Sequence, residues 1–419
     1  MTSFNVIVGT YEEFLLGFTC KPPDTDDQPE KLLKIFASHS HTASIRCVSG
    51  WGEIIASGGA DDKIFVYSLR SKQEIAILTV QSSTVNTLEF APDGSHLFAG
   101  CADGSMLAYS CETWEVVRTW KDAHKGSSVN QIRIHPSGKL ALSLGGDLTL
   151  RSWNLVKGRQ AFAKNLKSMQ ELGRIVECVE WCPDGKQFAL SGSQIVQIWS
   201  LADASVCATI KCASRPTCLA WITEDLLAVG QESGKILLHR LSGGAEEKSV
   251  EAHEKRVKDI SCRNPHFLTS VGSAGDVKVW SVDQTKLGLR KISSTNIGCR
   301  PTCVVNTAND EFPAVKQEKS SEGRGEVVVE EELPEEMQEE VLETPKKVKE
   351  KKKKRKSEVF LPPAASSAKK AKKRQSFNPF ASFTVTDIDP EDLNQSLETV
   401  KVKKRKTNGM KNTLNRTIN

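Results

Sequence analysis

AHKGSSVNQIRIHPSGKLALSLGGDLTLRSW, residues 123–153, decides the fold. It reads as short strands of alternating apolar and polar side chains, broken by the turns HPSGK and GGD. Proline presets φ and glycine accepts positive φ, so Pro136-Ser137-Gly138 is a hairpin turn. Sister turns follow at Pro92-Asp93-Gly94 and Pro183-Asp184-Gly185, which removes HPSGK as a phosphate loop; it also lacks the leading Gly and the following Ser/Thr. The aromatic that ends the stretch recurs as well. Tyr67, Tyr109, Trp153, Trp199, His239 and Trp280 close KIFVYS, SMLAYS, LTLRSW, QIVQIW, KILLHR and VKVW at intervals of 40 to 46 residues. Strand-built units with this period cannot cover their own apolar faces singly, so they stack around an axis as a β-propeller.

Alignment on the closing aromatic brings other positions into register. Six residues earlier stand Asp61, Asp103 and Asp147; ten earlier stand Ser57, Ser143 and Ser270; upstream, in the turn leading into each unit, stand His41, His124 and His253. In this pattern the chain resembles the WD-repeat family over roughly residues 1–310. That resemblance implies a structural tetrad of His, Ser/Thr, Asp and Trp joined by hydrogen bonds, in which every buried member must be satisfied. Only the unit ending at Trp153 shows all four; Tyr67 replaces Trp in its unit, and Ala274 holds the Asp register before Trp280. The units ending at Trp199 and His239 have Ser193 and Ser233 there and no leading His, so packing alone is expected to hold them.

First strands begin near Ser44, Val85, Val129, Val176, Thr217, Val257 and Thr302, which predicts seven blades. The last has no strands after it, whereas NVIVGTY, EFLLGFT and KLLKIFA at the start lack a first strand. Their union completes the seventh blade and removes the open edges of the ring. The fold class is therefore all-β, a seven-bladed propeller over residues 1–310, followed by an acidic disordered linker at 311–343 and a basic disordered tail at 344–419.

Charge supports that division. Residues 311–419 hold 24 Lys/Arg and 19 Asp/Glu, so the net +5 lies in the tail and the repeat region is neutral. All eight Trp precede residue 281. Twelve cysteines contain no Cys-x-x-Cys pair, and Cys178/Cys182 and Cys299/Cys303 lack zinc spacing; most are read as buried free thiols, with no metal or cofactor. The first residues lack the positive charge of a secretion signal, and no apolar run approaches ~18–20 residues, so a reducing compartment and no membrane partner are expected.

Longer strings narrow the family. Residues 123–162, AHEKRVKDI at 252–260 and YEEFLLGF at 11–18 resemble the p21-activated-kinase-interacting family of WD-repeat proteins. The resemblance implies a nucleolar, non-catalytic factor of large (60S) subunit assembly and pre-rRNA processing that works among pre-60S proteins. It also implies binding and inhibition of p21-activated kinase, the signalling alternative. Against a propeller enzyme, the His, Asp and Ser residues recur in blade register, as structural groups do.

Between 318 and 343 stand eleven acidic residues; from 344 onward there are 21 basic and 7 acidic. Dense like charge with few large apolar groups predicts disorder. The basic clusters are Lys351, Lys352, Lys353, Lys354, Arg355 and Lys356; Lys369, Lys370, Lys372, Lys373 and Arg374; and Lys403, Lys404, Arg405 and Lys406. They read as nuclear and nucleolar import signals and as non-specific rRNA contacts that neutralise phosphate without reading bases. Residues 389–401 (DPEDLNQSLETVK) form a docking helix candidate, and Phe377, Phe380 and Phe383 an aromatic stripe. On the propeller, Lys125, Arg174, Arg215, Lys255 and Arg256 in the leading turns, with Trp51 on another loop, are the candidate partner-binding residues of a protein expected to be monomeric within its complexes.

Overall fold

In the computed structural model of the chain, residues 3–21, 32–80, 83–242 and 246–308 are described. Tight turns join sequence neighbours, so each unit becomes a four-stranded antiparallel sheet. Blade 1 shows the plan: Ile45–Trp51, Ile54–Gly59, Lys63–Ser68 and Gln73–Thr79 lie side by side in chain order. Blades 2 to 6 repeat it over residues 85–120, 129–165, 179–211, 216–251 and 257–296. Blade 7 takes Pro301–Ala308 as its first strand, then Phe4–Thr10, Leu15–Cys20 and Leu33–Ser38. The only helical pieces among the described residues are two 3-10 turns, Leu166–Ser168 and Gln170–Leu172.

The core lies between blades, because a sheet with two apolar faces needs a neighbour on each side. Ile64 and Val66 of blade 1 pack with Leu88, Leu97 and Tyr109 of blade 2. Val6 and Val8 of blade 7 meet Val271, Val277 and Val279 of blade 6, and Ile7 and Leu15 meet Ile45, Ile55 and Phe65 of blade 1. Each fully buried side chain of this size contributes about 1.5–3 kcal/mol. Second strands are the deepest, as in the unbroken burial of Leu226–Gln231 and Phe267–Gly272. Of the cysteines, seven are buried and Cys207 is exposed; burial pushes the Cys101 thiol up to about 12.

Adjacent first strands cannot share a backbone ladder, and side chains bridge them instead. Ser49 Oγ accepts from Phe90 N–H at 3.2 Å, Thr87 Oγ1 from Ile132 N–H at 3.2 Å and Gln131 Oε1 from Val179 N–H at 2.6 Å. The Cys178 thiol donates to Thr217 O at 3.1 Å, Thr217 Oγ1 to Val257 O at 2.7 Å, and Asp259 Oδ2 accepts from Val304 N–H at 2.8 Å. A second regularity is a β-bulge near the start of the first strand, which in six of the seven blades lifts one side chain out of the ladder. The residues so displaced are Arg46, Asn86, Asn130, Thr217, Lys258 and Thr302.

Closure follows the expected union of the two ends. Phe4 to Gly9 face Ala308 to Cys303 in continuous antiparallel register. Beyond the ladder, Tyr11 N–H donates to Arg300 O at 2.8 Å, Arg300 Nε meets Glu12 at 3.0 Å, and the guanidinium lies 4.1 Å from the Tyr11 ring centre. Deleting residues 1–20 should strip cover from blades 6 and 1 together and abolish the single cooperative melt followed by circular dichroism. A truncated chain melting in one transition at the full-length midpoint would show that closure is dispensable.

Candidate functional site

In blade 3 the four predicted residues form one chain of hydrogen bonds. His124 Nδ1 lies 3.1 Å from Asp147, its Nε2 lies 2.7 Å from Ser143 Oγ, and Trp153 Nε1 donates to that hydroxyl at 2.8 Å. One proton arrangement satisfies all four: Nδ1–H to carboxylate, hydroxyl to Nε2, indole N–H to hydroxyl. Thr149 and Arg151 also bond Asp147, at 2.7 and 3.2 Å. Blade 1 repeats the set with His41 at 3.0 Å from Asp61 and 2.9 Å from Ser57. Its Tyr67 hydroxyl accepts from Ser38 of blade 7 at 3.3 Å, which ties two blades.

Blade 6 corrects the sequence register. His253 bonds the carboxylate of Asp276, two positions beyond Ala274, while its Nε2 meets Ser270 at 2.7 Å and Trp280 Nε1 donates there at 2.8 Å. The tetrad is complete, with the carboxylate supplied by the first residue of the third strand, Asp276–Asp283. A signal for this was available at Gly59, Gly145 and Gly272. A Cβ at Gly145 would lie 2.0 Å from His124 Nδ1, and one at Gly272 would lie 2.5 Å from His253 Nδ1 and 2.4 Å from Asp276. Glycine stands wherever a ring must fit; blades without the leading His have Cys101, Ser191 and Gln231 there.

Those blades are braced differently. Asp103 accepts from Ser105 Oγ at 2.7 Å, and Ser83 Oγ accepts its N–H at 3.0 Å, while the buried Tyr109 hydroxyl has no partner among the described residues. In blade 4 the indole N–H of Trp199 is likewise unpaired, and the ring is held by stacking on Phe188 at 6.0 Å. Blade 5 departs from packing alone: Ser214 Oγ donates to Ser233 Oγ at 3.0 Å beside Gln231.

The candidate cations occupy the leading turns of four consecutive blades. Arg215 and Arg256 are brought together by Glu232, at 3.8 and 2.6 Å, and Glu177 also faces Arg215 at 3.8 Å. Their charge is thus largely answered within the protein. Lys125, Arg174 and Lys255 are exposed and make no ion pair among the described residues. Trp51 stands apart at the far end of its strand, where its Nε1 donates to Pro92 O at 3.1 Å. The acidic stretch 311–343, the basic clusters, Phe377–Phe380–Phe383 and residues 389–401 lie outside the described residues.

The channel holds a group that sequence reading passed over. Arg133 of blade 3 spans its neighbours, with Nε 2.6 Å from Glu180 of blade 4 and Nη1 3.2 Å from Glu89 of blade 2. Asp259 accepts from Val304 and Ile260 N–H. Burial raises Glu89 to about 7 despite Arg133, with Glu180 adding to the rise, and raises Asp259 to about 6 against its two backbone hydrogen bonds. These groups lie on different blades, so no local motif marks them.

Comparison with known proteins places this geometry. The WD domain, G-beta repeat, matches residues 30–68, 72–110 and 114–154. A p21-activated protein kinase-interacting protein 1-like of Danio rerio is 36% identical over 308 residues, covering 71% of this chain and 79% of its own length. The chain belongs to the p21-activated protein kinase-interacting protein 1 family. The Homo sapiens family member is 32% identical over 306 residues, with 71% and 76% covered, and Shk1 kinase-binding protein 15 of Schizosaccharomyces pombe is 26% identical over 302 residues, with 71% and 83% covered. Within this family member the matched repeats end at residue 154 and take in blade 2, whose signature is incomplete, beside the tetrads of blades 1 and 3.

Two measurements check the network. Burial holds His41 and His124 below the usual imidazole range against the opposing pull of Asp61 and Asp147, so both rings are neutral and load-transmitting at pH 7. His124→Phe should cost roughly 2–4 kcal/mol in denaturant unfolding by stranding Asp147, Ser143 and Trp153; a loss below ~0.5 kcal/mol would leave the blade 3 tetrad without a stabilising role. For the channel the sign is reversed. Glu89 has its pKa raised from 4.5 to about 7, so its contribution is complete below pH 4.5 and is lost as pH rises through 7. Glu89→Gln should therefore flatten the decline of melting temperature between about pH 5 and 7.5. An identical pH profile for variant and parent would show that Glu89 ionises without strain.

Proposed function

We propose that this family member is a non-catalytic scaffold of large (60S) ribosomal subunit biogenesis and pre-rRNA processing, acting in the nucleus and nucleolus. The propeller at 1–310 grips pre-60S assembly proteins on its leading-turn face. The acidic segment 311–343 and the basic segment 344–419 supply import signals and non-specific rRNA contact. One observation carries the scaffold role. The leading-turn histidines, which a hydrolase or lyase would need free, each spend both ring nitrogens inside a tetrad. What remains outward on that face is charge, in Lys125, Arg174 and Lys255. Such a surface suits the positioning of partners, and the histidines of its described residues are not free to act as a base.

A second reading has its own support. The names of the Danio rerio, Homo sapiens and Schizosaccharomyces pombe relatives all describe kinase interaction or binding. On that reading the propeller occupies the regulatory region of a p21-activated kinase and restrains it, as a monomeric adaptor. Depletion followed by subunit profiling separates the two. The scaffold role predicts a fall in 60S relative to 40S particles with accumulation of precursor rRNA. A normal 60S level, accompanied by raised kinase activity, assigns the protein to signalling. Lys255→Glu with Arg256→Glu should reduce co-sedimentation with pre-60S particles several-fold; undiminished co-sedimentation would remove the leading-turn face from the interaction.

A further inference from the structure

The bulged residues around the channel mouth leave two members over. Asn86 Nδ2 donates to Val129 O at 3.1 Å, Ser128 Oγ donates to Asn130 Oδ1 at 2.7 Å, and Thr217 and Thr302 donate to backbone carbonyls at 2.7 and 3.0 Å. Arg46 and Lys258 have no hydrogen-bond or ion-pair partner among the described residues. They occupy the same register on the first strands of blades 1 and 6, on either side of blade 7. Arg46 is exposed and Lys258 is half-buried. Burial lowers the Lys258 pKa, repulsion from Arg256 and Arg46 lowers it further, and Cys303 and Glu177 oppose this. A partly desolvated ammonium with no ion-paired partner is costly unless a ligand supplies one.

We infer that Arg46 and Lys258 form a receptor for the carboxylate of an acidic segment in a partner protein, inserted into the channel mouth from the leading-turn face. This rests on the reading that the same face receives partners. The surroundings select the class of ligand. Glu12, Glu177, Glu232 and Glu254 stand among the cations of this face. A nucleic-acid strand has a charge at every nucleotide and would press some of them against these carboxylates, whereas one Asp or Glu on an extended segment reaches between them. The strand that leads toward residues 318–343 runs away from the mouth. The last strand runs from Pro301 at the mouth to Ala308, roughly 23 Å away at a strand rise of about 3.3 Å per residue.

The test uses the full chain and a fluorescein-labelled peptide of alternating Glu and Ser. Anisotropy reads affinity. A zero-length carbodiimide then joins any paired carboxylate to the lysine it contacts, and mass spectrometry distinguishes Lys258 from tail lysines. The expected results are a Lys258–peptide amide and at least about tenfold weaker binding in the Arg46→Gln/Lys258→Gln variant. Lys258→Arg should retain affinity and lose the cross-link, and Lys157→Gln, in an exposed turn between the third and fourth strands of blade 3, should change neither. Parental affinity in the double variant overturns the receptor, as does displacement of the peptide by oligo-uridylate at equal concentration. Cross-links from Lys258 to residues 318–343 without added peptide overturn the partner assignment in favour of the protein's own segment. If the double variant loses the peptide yet still co-sediments with pre-60S particles, the receptor stands and the use of this face in assembly falls.

Discussion

The antiparallel pairing of Phe4–Thr10 with Pro301–Ala308 is the constraint on which the remaining structure depends. Each blade has apolar residues on both faces, so every blade in an open row would be covered except the outer faces of the first and the last. Closing the row covers those two faces at once: Val6 and Val8 against blade 6, Ile7 and Leu15 against blade 1. The Glu12–Arg300 pair and the Tyr11 ring fasten the same seam across 288 residues of sequence. The stability of blades 1 and 6 is thus conditional on residues remote from them in the chain.

Much of this was legible before any coordinates, because it rests on local rules. The recurring aromatic, the Pro-x-Gly turns and the tetrad residues fix strand, turn and blade number through periodicity alone. Asp276 escaped because counting back from Trp280 assumes that every blade delivers its carboxylate from the same point of the turn; blade 6 delivers it from the strand. The glycine that makes room for the imidazole was the better marker, since it follows from the ring's volume. Arg215 and Arg256 read as available charge in sequence, and only the fold shows Glu232 reaching both from an intervening turn. The Glu89–Arg133–Glu180 bridge was illegible for the same reason, since it joins three separate repeats. The displaced Arg46 and Lys258 depend on bulges, which no hydropathy pattern records.

Acid–base chemistry in this molecule serves architecture. The three leading-turn histidines would be ready proton carriers in an open cleft, yet each ring nitrogen is committed to a neighbour. The Asp276 carboxyl is held at about 2 because the hydrogen bond from His253 and the nearby Lys278 outweigh burial, so it stays ionised throughout the working range. Around the axis, one guanidinium answers two carboxylates and keeps three blades in fixed relation. Turn residues can then vary without altering the parts that hold the ring.

Bridges between first strands run both ways: Trp181, Trp221 and Asn306 reach back to carbonyls of the preceding blade, and six others reach forward. Ser49, Thr87, Gln131, Cys178, Thr217 and Asp259 each reach from their own blade to the backbone of the one that follows. A chain leaving the ribosome therefore presents, at every stage, a finished docking edge for the segment about to emerge. Each new blade can dock on the one before it, and only the final step must turn back to find a hairpin made earlier. Until then that hairpin waits with its edge bare, the kind of unpaired strand edge that invites mispairing while a chain is still folding.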